Sequence, residues 1–143
     1  MRKKSTWIVG VLLVSVGVAI MGALFFYKPS MSQRDFVETP QLYQKLNQEK
    51  SKKFVLVFFK KGCPYCRSAK DEIASAIKQS DIPVYIVNTE SKTGKNLVNH
   101  FGIKYASTIT VLDSGKFKIL PYADKIDGKI RPIKSNIKQA LGE

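Results

Sequence analysis

Cys63-Pro64-Tyr65-Cys66 holds both cysteines of this 143-residue chain. The motif lies three residues after an apolar run, Phe54-Val55-Leu56-Val57-Phe58-Phe59, and just before a segment with helical spacing. An unbroken apolar run of that length is the pattern of a strand buried on both faces. Such a strand needs a sheet with a layer on each side, which predicts an α/β fold. The dithiol then falls at a strand-to-helix junction. Unpaired backbone N–H groups at a helix start stabilise an anion. They favour the thiolate at Cys63, and a thiolate is the nucleophile of disulfide exchange. Cys66 lies about one turn further along the same helix face. It can close a Cys63–Cys66 disulfide ring, or release a substrate caught on Cys63 as a mixed disulfide. Lys60, Lys61 and Arg67 add positive charge that favours the same thiolate. Pro64 fits the first turn of a helix. With Tyr65 it shapes the strain of the ring, so all five neighbours are read as tuning the pair.

Two cysteines this close are too few for a disulfide scaffold, and in an oxidising compartment they are reactive rather than structural. A structural zinc site takes four ligands. The chain offers one histidine, His100, and no third cysteine, so no metal and no cofactor beyond the dithiol is expected.

Ahead of the catalytic region, Arg2, Lys3 and Lys4 precede a run from Thr6 to Tyr27 without acidic or basic side chains. That run of about 22 residues is long enough for a helix to span the hydrocarbon core. Trp7 at one end and Phe25, Phe26 and Tyr27 at the other suit the two interfaces. The run exceeds the core of a typical removable signal peptide and ends without a clear small-x-small cleavage site. It is read as an uncleaved signal anchor. The charge excess before it places residues 1–5 in the cytoplasm, 6–27 across the membrane, 28–35 in a linker and the remainder, 36–143, outside. Four of the 24 Lys and Arg lie at or before Lys28, leaving 20 against 11 acids in the outer part. This suits anionic headgroups or acidic partners. The lysines are scattered and no nucleic-acid motif is present, so no nucleic-acid partner is expected.

Beyond the linker, Thr39-Pro40 reads as a helix start, with Leu42, Tyr43 and Leu46 on the apolar side to about Glu49. After the cysteines one helix is expected to about Gln79, burying Ala69, Ile73, Ala76 and Ile77. A strand follows over Ile82–Asn88. A short helix over Thr93–Phe101 is stopped by Gly102. Thr108–Leu112 and Lys116–Leu120 form a hairpin about Asp113-Ser114-Gly115. Residues 121–130 read as an irregular loop, and Pro132 opens a last helix with Ile133, Ile137 and Leu141 on one face. The strand–helix–strand unit predicts a parallel crossover, and the hairpin makes the sheet mixed.

This order of elements, with a dithiol after the first strand, resembles the thioredoxin-like superfamily over roughly residues 36–141. Phe101-Gly102-Ile103-Lys104 and Asp113-Ser114-Gly115-Lys116 are similar to the segments that flank the family's cis-proline loop and its hairpin. The Pro-Tyr dipeptide between the cysteines is similar to that of glutaredoxins. With its anchor, the chain resembles the extracytoplasmic thioredoxin-like proteins that accompany bacteriocin export in Gram-positive bacteria.

Three positions depart from the family. Ser107, followed by Thr108, stands where the family has its cis-proline. A non-proline cis bond costs about 2.5–4 kcal/mol, so a trans Ala106–Ser107 bond is expected. Val57 stands where thioredoxins carry a buried acid that serves the second thiol. Gly62 replaces their tryptophan. The resemblance implies a thioredoxin-like domain with a central mixed sheet, preceded by the anchor. It implies a membrane-bound thiol–disulfide oxidoreductase that acts on thiol- or disulfide-bearing proteins, served by an unidentified redox partner. Ser107 and Thr108 would line the substrate groove. The competing reading is a non-catalytic scaffold in an export or conjugation machine.

Overall fold

The computed structural model describes residues 35–142. The predicted membrane span lies outside them, and among the described residues no helix is long and apolar enough to cross a membrane.

Strand β1 (Lys53–Phe59) forms the centre. Val55 through Phe59 are each 1% exposed or less, as the continuous apolar run requires. β2 (Val84–Asn88) pairs with it in parallel, and β3 (Thr108–Asp113) pairs antiparallel on the other side. β4 (Lys116–Pro121) completes the order β2-β1-β3-β4. The β3–β4 turn places Ser114 and Gly115 at φ 50° and 81°, the left-handed pair that a two-residue hairpin turn demands.

Alternate β1 side chains feed two cores. Val55, Val57 and Phe59 pack with Ile73 and Ala76 of α3 (Lys70–Gln79) and Ile137, Ala140 and Leu141 of α5 (Lys134–Leu141). Leu56 and Phe58 pack with Leu42 of α1 (Leu42–Gln48) and Phe101 of α4 (Lys92–Phe101). Each such side chain taken from water contributes about 1.5–3 kcal/mol. Helices therefore cover both faces of a mixed sheet.

Four expectations are corrected. The helix after the cysteines is two: α2 (Pro64–Ser68) and α3, joined at Ala69, whose ψ of −1° breaks the helical path. Ala69 is wholly buried, so the joint lies against the core. Thr39 does not cap α1. Its hydroxyl accepts the Ile86 N–H at 2.8 Å and its N–H donates to the Ile86 carbonyl at 2.9 Å, which pins the segment to the free edge of β2. α1 starts only after Gln41, and Tyr43 is 65% exposed. Residues 121–130 are not an irregular loop. β5 (Ala123–Ile126) and β6 (Lys129–Pro132) form a hairpin about Asp127 and Gly128, at φ 49° and 76°. Pro132 consequently closes β6 and does not open α5. This hairpin packs against α2, beside the cysteines.

The first turn of α4 lies unusually close to the end of β2. Ser91 caps it by accepting the Gly94 N–H at 2.9 Å. A Cβ on Gly94 would sit 1.8 Å from the Asn88 carbonyl oxygen. Gly94→Ala is expected to cost about 1–3 kcal/mol by forcing helix and strand apart. A lowered urea midpoint with unchanged m-value checks this.

Candidate active site

β1 ends at Phe59, and the chain turns through Lys60, Lys61 and Gly62 into α2. Gly62 sits at φ 75°, where a side chain is strained. The turn aims Cys63 at the N-cap of α2, with Pro64 at the first helical position. The Cys63 Sγ accepts the Cys66 N–H at 3.2 Å. Sulfur therefore occupies the capping position that an oxygen commonly fills.

The two sulfurs have different surroundings. Cys63 is half-buried, whereas Cys66 is 1% exposed. Burial, with the bond to Cys63 as a smaller cause, pushes the Cys66 thiol up to about 11. Donors at the Tyr122 hydroxyl and the Lys60 backbone N–H oppose that rise. Val57 is fully buried beneath the pair and supplies no acid.

Two groups that no sequence pattern singled out hold this arrangement. Asp35 stands at the end of the stretch read as linker. Its carboxylate accepts the Gly62 N–H at 3.0 Å and the Arg67 Nε at 2.8 Å, and its carbonyl accepts Lys70 Nζ at 3.0 Å. It thereby ties the turn before Cys63 to α2 and α3. Tyr122, directly after β4, is fully buried. Its hydroxyl donates to the Phe58 carbonyl at 2.8 Å, and its N–H donates to the Ser107 carbonyl at 3.0 Å. Asp35 shows no local signal because its partners lie 27 and 32 residues away. Tyr122 follows a proline outside any periodic stripe; only its position next to the hairpin strand offered a signal.

The other expected residues are placed as follows. Arg67 pairs with Asp35, so its charge is shared between that carboxylate and the site. Lys60 reaches Glu90 at 3.5 Å and remains largely exposed. Lys61 is exposed. Tyr65, which packs on the core, is half-buried and lines a groove of about 750 Å³. Ser107 and Thr108 line the same groove, with Lys104, Tyr105, Ile119 and Asp124. Among the described residues no peptide bond is cis, so Ala106–Ser107 is trans as expected. The loop is fastened by the Thr108 hydroxyl, which donates to the Tyr105 carbonyl at 2.7 Å. His100 is exposed on α4, edge-on to Phe101, and is not near the dithiol's hydrogen bonds. Among the described residues no cluster of His, Cys, Asp and Glu is placed to hold a metal ion.

A four-stranded mixed sheet with a dithiol at the end of its central strand defines a thioredoxin-like protein. The thioredoxin family model matches residues 34–140, and the chain belongs to that family. Among solved structures it is similar to the crystal structure of Trxlp from Edwardsiella tarda EIB202. The TM-score is 0.54 and the identity 17%, over 73% of this chain and 95% of that one. No curated protein matches the chain.

The Arg67 and Gly62 donors hold the Asp35 carboxyl below its ordinary 3.8. A depressed acid stabilises the clamp above its unfolded value and loses it as pH falls through the folded one. The hydrogen-exchange protection factor of the Gly62 amide should therefore be constant above about pH 4 and fall at lower pH. Asp35→Asn should remove that pH dependence.

Proposed function

We propose that this chain is a membrane-anchored thiol–disulfide oxidoreductase that works outside the cytoplasm on protein substrates. The carrying observation is the unequal setting of the two sulfurs: Cys63 half-exposed and receiving an amide proton, Cys66 buried behind it. In this reading Cys63 attacks a substrate disulfide. The Cys63–substrate bond forms, and the displaced substrate sulfur leaves with the electron pair and takes a proton. Cys66 then attacks Cys63, closing the Cys63–Cys66 disulfide and freeing the second substrate thiol. The same steps run in reverse when the oxidised pair meets a substrate dithiol. The chemistry requires no cofactor beyond the dithiol, and an external redox partner resets the pair.

The groove beside Tyr65, Ser107 and Thr108 supports an extended peptide as substrate. Tyr105 and Ile119, 73% and 39% exposed, offer it apolar contacts. Pro64, Tyr65, Lys60, Lys61 and Arg67 tune the pair in this reading.

The setting rests on the sequence. Residues 1–5 are cytoplasmic, 6–27 cross the membrane, and 28–35 tether the thioredoxin-like domain that follows. The resemblance to proteins accompanying bacteriocin export supports secreted disulfide-bearing peptides, or the machinery exporting them, as substrates.

Valine at position 57 and serine at 107 favour a second reading, a scaffold that no longer turns over. Cys66→Ser separates the two. Under oxidising conditions it should accumulate mixed disulfides through Cys63, resolvable on a non-reducing gel and lost in the Cys63→Ser, Cys66→Ser variant. If the double variant supports full cellular function, the scaffold reading replaces the enzyme.

Topology has its own test. A membrane-impermeant maleimide should label Cys63 on intact protoplasts. Labelling only after lysis would place the dithiol in the cytoplasm.

A further inference from the structure

Thioredoxins carry a buried acid near the second thiol, and here Val57 takes its place. Any group that serves Cys66 must therefore come from elsewhere in the fold. The buried cluster around Cys66 contains only one other side chain with a titratable proton, Tyr122. The rest of that cluster is aliphatic or phenylalanine. Of the partly buried hydrophobic residues packed on it, Cys63 and Tyr65 titrate. Of the charged groups of the rim, Lys60, Lys61 and Arg67 are exposed, and the half-buried Lys70 and Asp35 are bonded to each other, Asp35 also to the Gly62 N–H.

Tyr122 is placed with unusual firmness. Its ring lies edge-on to Phe36 at 6.3 Å. Its backbone is tied on both sides, N–H to the Ser107 carbonyl and carbonyl to the Ile133 N–H at 2.9 Å. Only the hydroxyl proton keeps a choice. It lies on the Phe58 carbonyl at 2.8 Å, in the same buried cluster as Cys66.

We propose that Tyr122 is a third catalytic residue of the site, donating its phenolic proton in a hydrogen bond to the Cys66 sulfur whenever that sulfur carries negative charge. This rests on the redox reading above. A bond to an ionised acceptor is roughly twice as strong as a neutral one, so rotation about the C–O bond moves the proton from the Phe58 carbonyl to the thiolate. Burial and the neighbouring cysteines raise the phenol far above its ordinary range, so Tyr122 acts as a donor and never as the base.

In the resolving step the Cys66 thiol loses its proton to water. Its sulfur then attacks Cys63, the Cys63–Cys66 bond forms, and the Cys63–substrate bond breaks. The electron pair leaves with the substrate sulfur, which takes a proton from water. In the reverse direction Cys66 departs as the thiolate, and the same phenol stabilises the leaving group. Where a buried carboxylate would place a second negative charge beside the thiolate, the phenol is neutral.

The test uses reduced protein and one equivalent of 4,4′-dithiodipyridine. The first thiopyridone reports attack by Cys63, and the second reports ring closure by Cys66. In Tyr122→Phe the first release should match the wild type. The second should slow by about ten- to a hundredfold, the range carried by a hydrogen bond to a charged group, and need a pH higher by about a unit or more for the same rate. Loss of a purely structural bond would lower the melting temperature and leave that pH profile in place. An unchanged second release overturns the proposal. Should Tyr122→Phe fail to fold, fluorotyrosine at position 122 keeps the hydroxyl and makes it a stronger donor. The second release should then quicken, and an unaltered rate overturns the proposal. No first release in the wild type overturns the redox reading itself, and this inference with it.

Discussion

Everything in this domain is referred to the burial of β1. Five consecutive residues, Val55 to Phe59, are closed off from water, and both edges of the strand are paired. No register slip is open to such a strand, because each side chain already has a core to fill. The backbone that leaves Phe59 therefore emerges at a fixed height and direction. Lys60-Lys61-Gly62 spans the gap, and Asp35 ties down the Gly62 N–H at its far side. Cys63 is thus placed by the sheet, and Cys66 by the helix that starts on it. Cys66 and Tyr122 belong to the core fed by Val55, Val57 and Phe59.

That geometry divides labour between two otherwise identical side chains. The outer sulfur accepts an amide hydrogen bond and is half-exposed. The inner one is surrounded by hydrocarbon, which raises its thiol and favours the protonated form. An inert structural pair has no need of such asymmetry. The loop facing the pair is also secured without the family proline. Ser107 and Thr108 are both buried, and hydrogen bonds to Tyr105 and Tyr122 hold the trans backbone. Rigidity that a ring would have supplied comes from the hydroxyl of Thr108 and the amide of Tyr122.

Where the sequence was legible, a local pattern and the tertiary outcome agreed. The apolar run, the stripe of Ala69, Ile73 and Ala76, the Gly102 stop and the Ser114-Gly115 turn each express a short-range rule that the fold leaves in force. The misses occurred where long-range contacts took over. Thr39 has the makings of a helix cap, but its hydroxyl is claimed by β2, 47 residues on. The β5–β6 hairpin carries a turn signal in Asp127-Gly128, yet most residues of both strands face solvent and show no apolar alternation. Asp35 reads as the end of a polar tether until its partners arrive from α2. Cys63 and Cys66 were evident from spacing alone, because disulfide chemistry needs that spacing. Tyr122 was not, because it sits between β4 and β5 outside any apolar stripe, and only the fold brings it into the core that holds Cys66.

The account stands or falls on whether the two sulfurs act on each other. Equilibrating the purified domain in glutathione buffers of graded ratio, quenching in acid and weighing the intact protein reads this directly. The account predicts one two-electron transition, in which the chain loses two hydrogens and gains no adduct, with the new bond mapped to Cys63 and Cys66. Persistent glutathione on Cys63 without ring closure, or two free thiols at every ratio, would contradict it.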